Sequence, residues 1–346
     1  MSTTSTERKE PRTSARTSSN RFIGIVSRVR ELGLLAVLLL IVIIVSIQVP
    51  RFLGLDNLEQ ILLSIAILAI VAAGETMVVL TRNVDLSVGS IVGLTAYIAA
   101  NTLKEHPGTN VLLILLFGCI IGLVLGAING LIVGIGRVPA IVATLGTLYV
   151  FRGLDFMIAG GNQVTAYQVP DSFLALATTR ILGIPALILF AAAVILSFAF
   201  FLRSTRSGRQ LYAIGSNPDA ASRIGIRANR LIFMTFLLSG LLCGLAGVLW
   251  GARYATVDAR AASGLELQVV AAVVVGGVNI FGGSGTILGV TLGAIVLGTI
   301  DNSLTLLKLS QFWLQAIDGA AILTAVTLDA FITRWIRRRL LARRQR

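Results

Sequence analysis

Charged residues, cysteine and histidine are all scarce in this chain. Of its 346 residues, 13% are charged, whereas about a quarter are charged in soluble domains. The single histidine, His106, excludes a metal site built from several histidines. Cys119 and Cys243 both lie within apolar runs, and we interpret them as small packing residues. The sequence therefore predicts neither a disulfide framework nor a metal centre, and no cofactor is expected.

Apolar residues, by contrast, make up 55% of the chain, and its mean hydropathy is +0.88. Because about 20 mostly apolar residues suffice for a helix to cross a bilayer, we predict an all-α, polytopic membrane protein. Apolar runs between turn signals predict about ten transmembrane helices, with about eight or nine plus re-entrant segments as the alternative. The predicted spans lie near 33–49, 58–80, 87–103, 111–135, 139–159, 182–202, 230–252, 265–281, 285–307 and 312–333.

The net charge of +13 raises the question of nucleic-acid binding. The basic residues are not spread along a domain, however, but lie mainly at the two ends and in the loop 203–230. This distribution is typical of membrane topology, in which Lys and Arg collect in cytoplasmic segments. We therefore predict that both termini and this loop are cytoplasmic, and that nucleic acid is not a partner.

Composition divides the chain into three parts. Residues 1–30, rich in Ser, Thr and Arg, predict a disordered basic cytoplasmic tail. They do not read as a cleavable signal peptide, because the apolar run near Gly33 begins too late and is too long. Residues 31–335 form the predicted transmembrane domain, and 336–346 form a second basic cytoplasmic tail. The arginines at that end are suited to anionic membrane lipid, although a topology anchor explains them equally well.

One polar, alanine-rich stretch stands apart, LYAIGSNPDAASRIGIRANR at 211–230. Asn217 is a favoured N-cap, Pro218 suits the first helical position, and Gly225 suits a left-handed C-cap. These signals predict a helix of two turns over about 218–224. Its centre, Ala220 and Ala221, would let another surface approach closely. The helix either docks a partner protein or lies on the membrane surface as an ordinary loop helix.

Polar residues interrupt the apolar runs at a few points. Asn83, Asp85 and Ser87 lie in a break between two runs, and such a break is tolerated at membrane depth only where it lines a cavity or is buried in protein. Glu75 and Asn129 lie inside predicted spans. We interpret the five as hydrogen-bonding groups of a translocation pathway. The alternatives are a cytoplasmic turn for the break and a protonated, helix-bonded Glu75.

A Walker-type phosphate loop is absent from the sequence. GGSGTILG at 282–289 is glycine-rich, but no Lys-Ser/Thr follows its glycines. The chain is therefore not expected to be an enzyme, and ATP-driven transport would need a separate ATPase. The outside loops, of which 160–180 is the longest, are too short for a substrate-binding domain. Arg152 and Asp155, three apart on one predicted helix, are expected to pair.

Four stretches resemble the permease subunits of ribose-type ATP-binding-cassette sugar importers. They are TRNVDLSVGS at 81–90, GRVPAIVATLGTL at 136–148, GRQLYAIGSNPDAASRIGI at 208–226 and VVGGVNIFGGSGTILG at 274–289. The resemblance covers about 33–333. It implies a prokaryotic inner-membrane protein with three kinds of partner: ATPase subunits, an extracellular or periplasmic sugar-binding protein, and a second permease copy or paralogue. The residues that it assigns to an ATPase-docking coupling helix are Asn217, Ala220, Ala221 and Gly225.

One departure from the family pattern concerns the residues before Val84 and Asp85. The family more often has Gly-Gly or Gly-His there, whereas this chain has Arg82 and Asn83. The Thr-Arg-Asn form is most similar to permeases for autoinducer-2 or for deoxyhexoses such as rhamnose. The resemblance thus predicts a permease that forms the passage for a monosaccharide or sugar-like solute.

The alternative prediction is a secondary transporter driven by an ion gradient. Carboxyl groups in or beside predicted spans would then relay protons or sodium ions. The candidates for this relay are Glu75, Asp85, Asp301, Asp318 and Asp329. This alternative explains neither the capped polar helix nor the four matching stretches.

Overall fold

The structure is a computed structural model that describes residues 32–310, 312–324 and 327. The predicted tails and Asp329 lie outside the described residues. The helices are α1 Leu32–Gln48, α2 Leu55–Leu80, α3 Val88–Glu105, α4 Val111–Gly130, α5 Ala140–Ala159, α6 Asp171–Thr178, α7 Ala186–Ser204, α8 Arg206–Ser216, α9 Pro218–Arg223, α10 Ala228–Tyr254, α11 Leu265–Val275, α12 Ile287–Leu306 and α13 Phe312–Thr324. A short antiparallel ribbon pairs β1 Arg180–Ile181 with β2 Ile184–Pro185. The predicted all-α class is confirmed.

Six helices among the described residues are long and apolar enough to cross a membrane. They are α2, α4 with its π-helical continuation to Ile135, α5, α7, α10 and α12. Helices α1, α11 and α13 are apolar but shorter. The span predicted near 265–281 is helical only to Val275, and Gly277 beyond it has a φ of +100°. With 11 residues, α11 is about 16 Å long, roughly half of a bilayer's hydrocarbon core.

Helix α2 forms the centre of the fold. Every residue from 65 to 80 is buried, as expected for a helix that is hydrophobic on all sides. It packs against α10, α12, α7 and α11, while α3 packs against α10, α5 and α4. Any polar side chain on this part of α2 must therefore find its partners inside the protein.

Glycines bring α4 and α10 into direct backbone contact. Gly118, Gly122 and Gly126 are spaced four apart on α4, and they face Gly240 and Gly244 on α10. A Cβ on Gly122 would overlap the Gly240 carbonyl oxygen and would lie 2.6 Å from the Gly244 Cα. Small residues at this spacing are how membrane helices approach closely. The glycine interface fixes the distance between the two helices.

Candidate functional site

The polar stretch of the sequence forms helix α9, which is capped at both ends. The Asn217 Oδ1 accepts a hydrogen bond of 3.0 Å from a backbone N–H in the first turn. At the other end Gly225 has a φ of +81°. The N–H groups of Gly225 and Ile226 donate to the carbonyl oxygens of Ser222 and Ala221, respectively, which is the Schellman pattern. The predicted short helix with these two caps is therefore confirmed as local structure.

The two central alanines of α9 differ in burial. Ala221 is only 2% exposed and packs against its own chain, whereas Ala220 is exposed. The expectation that both present small side chains to another surface is therefore corrected: Ala221 fits α9 onto its own chain. Ile224, just after the helix, is 75% exposed. The outward surface of α9 thus combines a small residue with an exposed apolar one.

Four of the five predicted pathway residues meet in one buried cluster. Glu75 of α2 accepts a hydrogen bond from the Asp85 backbone N–H at 3.0 Å. The Asp85 Oδ1 accepts from the Ser87 N–H at 2.9 Å and from its hydroxyl at 2.6 Å. The Asn129 Nδ2 of α4 donates to the Ser87 Oγ at 2.7 Å. These bonds connect α2, the loop 81–87 and α4.

No side chain of this cluster reaches solvent in the described chain. Glu75, Asp85, Ser87 and Asn129 are each 0% exposed. Of the two possibilities for a polar break, lining a cavity or burial in protein, the structure shows burial in this conformation. Asn83 lies apart, half-buried, and donates to the Thr81 carbonyl and hydroxyl oxygens. A role of these residues in translocation remains a prediction.

The cluster also contains polar atoms without partners. Among the described residues, the Glu75 Oε2, the Asn129 Oδ1 and the Ser239 Oγ of α10 are buried and make no hydrogen bond. Buried polar atoms are normally satisfied by protein or by ordered water, so water, a ligand or a changed conformation would supply the partner of each such atom. Ser239 was not identified from the sequence, and its neighbour Cys243 was interpreted only as a packing residue. They lie in an apolar run, and only helix packing brings them to the cluster.

The pairing predicted for Arg152 and Asp155 is present, at 3.7 Å. The stronger contacts of Arg152 are to backbone: its Nη1 donates to the Ala261 carbonyl at 2.7 Å and to the Ala259 carbonyl at 3.2 Å. These bonds attach α5 to the loop after α10. The arginine thus serves a structural purpose in this conformation.

Two small cavities lie near the other polar groups. One, of about 60 Å³, is lined by both Asp301 and Asp318. Glu75 lies about 10 Å further along α2 than Leu68, which lines this cavity. The described carboxyl groups of the alternative ion relay therefore fall into two separate places, with Glu75 and Asp85 in the buried cluster and Asp301 and Asp318 at this cavity.

The second cavity, of about 230 Å³, is lined by residues of α2, α10 and the segment 177–185. Its charged groups already have partners. The Arg180 Nη2 lies 2.9 Å from Glu59 Oε2, and the Arg253 Nη2 donates to Gln60 Oε1 at 2.6 Å. The first contact joins the segment 177–185 to α2, and the second joins α10 to α2.

An all-helical chain with apolar spans, a glycine-packed helix pair and one capped polar helix has the features of a membrane transport subunit. The comparison with protein families agrees with this class. Residues 57–326 match the family described as the permease component of branched-chain amino acid transport systems. The match covers most of the chain, and the protein belongs to this family.

Characterised relatives resemble almost the whole chain. A protein of an Enterobacter species, named as an autoinducer 2 import system permease, is 38% identical over 301 residues, which are 87% of this chain and 86% of the relative. A Klebsiella pneumoniae protein of the same name is 38% identical over 318 residues, 92% and 90% of the two chains. The ribose import permease of Escherichia coli is 35% identical over 314 residues, 90% and 97% of the two chains. No solved structure matches the chain.

Proposed function

We propose that this chain is the permease subunit of an ATP-binding-cassette importer and forms the passage for a monosaccharide or sugar-like solute. Its similar relatives are named for autoinducer 2 and ribose import, and the four stretches quoted above fall within the matched region. Separate ATPase subunits hydrolyse ATP, and a separate binding protein delivers the solute. A second permease, either a copy or a paralogue, completes the passage.

The proposed topology places the protein in a prokaryotic inner membrane with about ten spans. Helices α1, α3 and α13 join the six long apolar helices in the bilayer, and α11, about half as long as the hydrocarbon core is thick, crosses it only together with the chain beside it. Both termini and the loop 203–230 then lie in the cytoplasm, as the distribution of arginines favours. Helices α8 and α9 become cytoplasmic, and α6 with its ribbon becomes external.

The main support for the proposal is that α9 has one buried side, which holds it in place, and an exposed side. Ala221 is buried against the chain itself, so the helix is held in place. Ala220 and Ile224 face outward. A six-residue helix is too short to be stable alone in water. Asp219 and Arg223 are exposed on the same helix. A short helix that is capped, held in place by Ala221 and otherwise exposed is suited to a cleft in an ATPase subunit.

Ala220→Arg is expected to abolish docking of the ATPase while the permease stays folded. The substitution places a long charged side chain on the outer surface, and a desolvated, unpaired charge costs more than the roughly 1.4 kcal/mol that lowers affinity tenfold. We would measure the ATPase recovered with the tagged permease in mild detergent. Ser172→Arg, on the exposed surface of α6, is the matched control.

Normal recovery of the ATPase with Ala220→Arg would contradict the coupling assignment. Ala221→Arg is a poorer test, because its side chain would have to enter the chain's own packing.

Uptake of radiolabelled D-ribose and of autoinducer 2 by cells that carry the complete system tests the solute class. Uptake that continues without any ATPase, and stops when the ion gradient is collapsed, would support the ion-driven alternative instead.

A further inference from the structure

Three segments that are far apart in the sequence meet beside helix α9. They are the end of α2, the end of α8 and the glycine-rich turn between α11 and α12. The Gly283 N–H donates to the Leu80 carbonyl oxygen at 3.1 Å. A Cβ on Gly215 would overlap both that oxygen and the Gly283 nitrogen. Glycine at 215 therefore lets three backbones come into direct contact.

Arg82, just after α2, stabilises this three-segment contact through hydrogen bonds to α8. Its Nε donates to the Gly215 carbonyl at 2.6 Å, and its Nη2 donates to the Ser216 carbonyl at 3.0 Å. Those carbonyls belong to the last turn of α8, where intrahelical donors are missing and the helix dipole favours a positive charge. The Arg82 stem also lies over the turn, since a Cβ on Gly282 would be 2.6 Å from its Cγ.

The backbone of Arg82 is itself unusual. Its φ is +68°, in the left-handed region that glycine favours. Glycine is also what the family pattern more often places at this position. A non-glycine residue persists in such a conformation where surrounding contacts determine it, and these residues cluster at functional sites. The two hydrogen bonds to α8 are the contacts that an arginine gains here and a glycine would lack.

The turn between α11 and α12 is bound to α8 at a further point. The Tyr212 hydroxyl donates to the Gly285 carbonyl oxygen at 2.9 Å. Burial raises the pKa of Tyr212 above its usual value, so its phenol stays protonated as the donor. Gly282, Gly283 and Gly285 all have positive φ values, which shape the turn so that it fits against α8.

No flexible linker separates this contact from α9. Ser216, whose carbonyl Arg82 binds, is followed directly by Asn217, the N-cap of α9. We propose that Arg82, Gly215 and the turn form a rigid joint that passes a displacement of α9 to α2 and to the α11–α12 turn. Arg82 is the positioning residue of this joint. The inference rests on the proposed docking of an ATPase on α9. Because α2 also carries Glu75, such a displacement would reach the buried cluster.

Spin labels on α2 and α8 test the joint directly. We would place them at L62C and S207C, which are exposed positions, in a chain that carries C119A and is diluted with unlabelled permease. Distances are measured by double electron–electron resonance in the complete complex with its ATPase, without nucleotide and with ATP and vanadate. With Arg82 present, we expect one narrow distance that is unchanged by nucleotide.

Arg82→Gly is the decisive variant, because it removes both hydrogen bonds and suits the left-handed backbone. We expect ATPase recovery to be retained and the distance distribution to broaden by about 2 Å or more, the size of a helix shift at a packed interface. Arg137→Gly is the matched control. Arg137 also has a positive φ, +57°, and is exposed, and its side chain makes no hydrogen bond within the described part of the chain. The distribution of label distances in Arg137→Gly should match that of the unaltered protein.

Two results would contradict the proposed joint. One is an Arg82→Gly distribution of label distances between α2 and α8 that is as narrow as in the unaltered chain. The other is a label distance in the unaltered chain that changes with nucleotide. Failure of the proposed function looks different, because the unaltered permease would then recover no ATPase. The same labels measured on the permease alone still report whether Arg82 holds α8 against α2. The two failures are therefore distinguished by one set of samples.

Discussion

Gly122→Val is expected to lower the equilibrium constant for folding of the permease by at least about tenfold, because each 1.4 kcal/mol changes an equilibrium constant by that factor. The new Cβ would overlap the Gly240 carbonyl oxygen and approach the Gly244 Cα to 2.6 Å. Both obstacles are backbone, so no side chain can rotate away. Overpacking costs about 1–3 kcal/mol even where neighbours can adjust. Here α4 and α10 would have to separate along the whole glycine interface.

The measurement is fluorescence-detected size-exclusion chromatography of the tagged permease, followed by a thermal ramp. Gly146→Val and Gly153→Val on α5 are the matched controls, because a Cβ at either position meets no atom within 4 Å. They add the same bulk and the same β-branched side chain to a membrane helix. Equal yield and Tm for Gly122→Val and the controls would show that the backbone contact is not required.

Asp85→Ala is expected to destabilise the permease by about 2–4 kcal/mol, since each buried polar group left unsatisfied costs about 1–3 kcal/mol. The Ser87 N–H and hydroxyl would lose the carboxylate oxygen that accepts both of them. Ser87 is 0% exposed, so water does not replace the lost acceptor. Unfolding in detergent by heat, read by native tryptophan emission, measures the effect. Asp171→Ala, at the exposed start of α6, is the control.

A second substitution distinguishes a role of Asp85 in stabilising the loop 81–87 from a role in transport. Asp85→Asn keeps an acceptor oxygen for Ser87 and removes the carboxylate. A variant that folds normally but no longer supports uptake would place Asp85 in the translocation pathway, as the sequence suggested. An unchanged Tm for Asp85→Ala, in contrast, would show that the buried cluster does not anchor the loop 81–87.

Local signals in the sequence were sufficient for the long apolar helices and for the caps of α9, whereas α6 and α8 were not predicted. Apolar runs located the six long spans, since length and hydropathy are properties of one segment. Asn217 and Gly225 predicted the ends of α9 because capping depends on neighbouring backbone groups. The extent of α11 was overestimated, because valine and glycine continue past Val275 and the apolar composition does not change where the helix ends.

Contacts between distant segments were not predictable in the same way. The sequence identified Glu75, Asp85 and Asn129 one by one, but their meeting depends on how α2 and α4 pack. The different burial of Ala220 and Ala221 depends on how α9 packs against the rest of the chain. The stretches 136–148, 208–226 and 274–289 each contact residues 80–84, and these contacts span from 60 to more than 200 residues of sequence.

The glycine interface has a consequence for how the protein is made. Helix α4 is completed about a hundred residues before α10 begins. At the usual 5–20 residues per second of synthesis, its glycine-lined groove waits about 5–20 s for its partner. During that interval lipid chains or other protein must occupy the groove. A side chain placed in the groove would thus leave membrane targeting and insertion unchanged and would impair the later pairing of α4 with α10. Cellular quality control, and not the translocon, would then decide the fate of such variants.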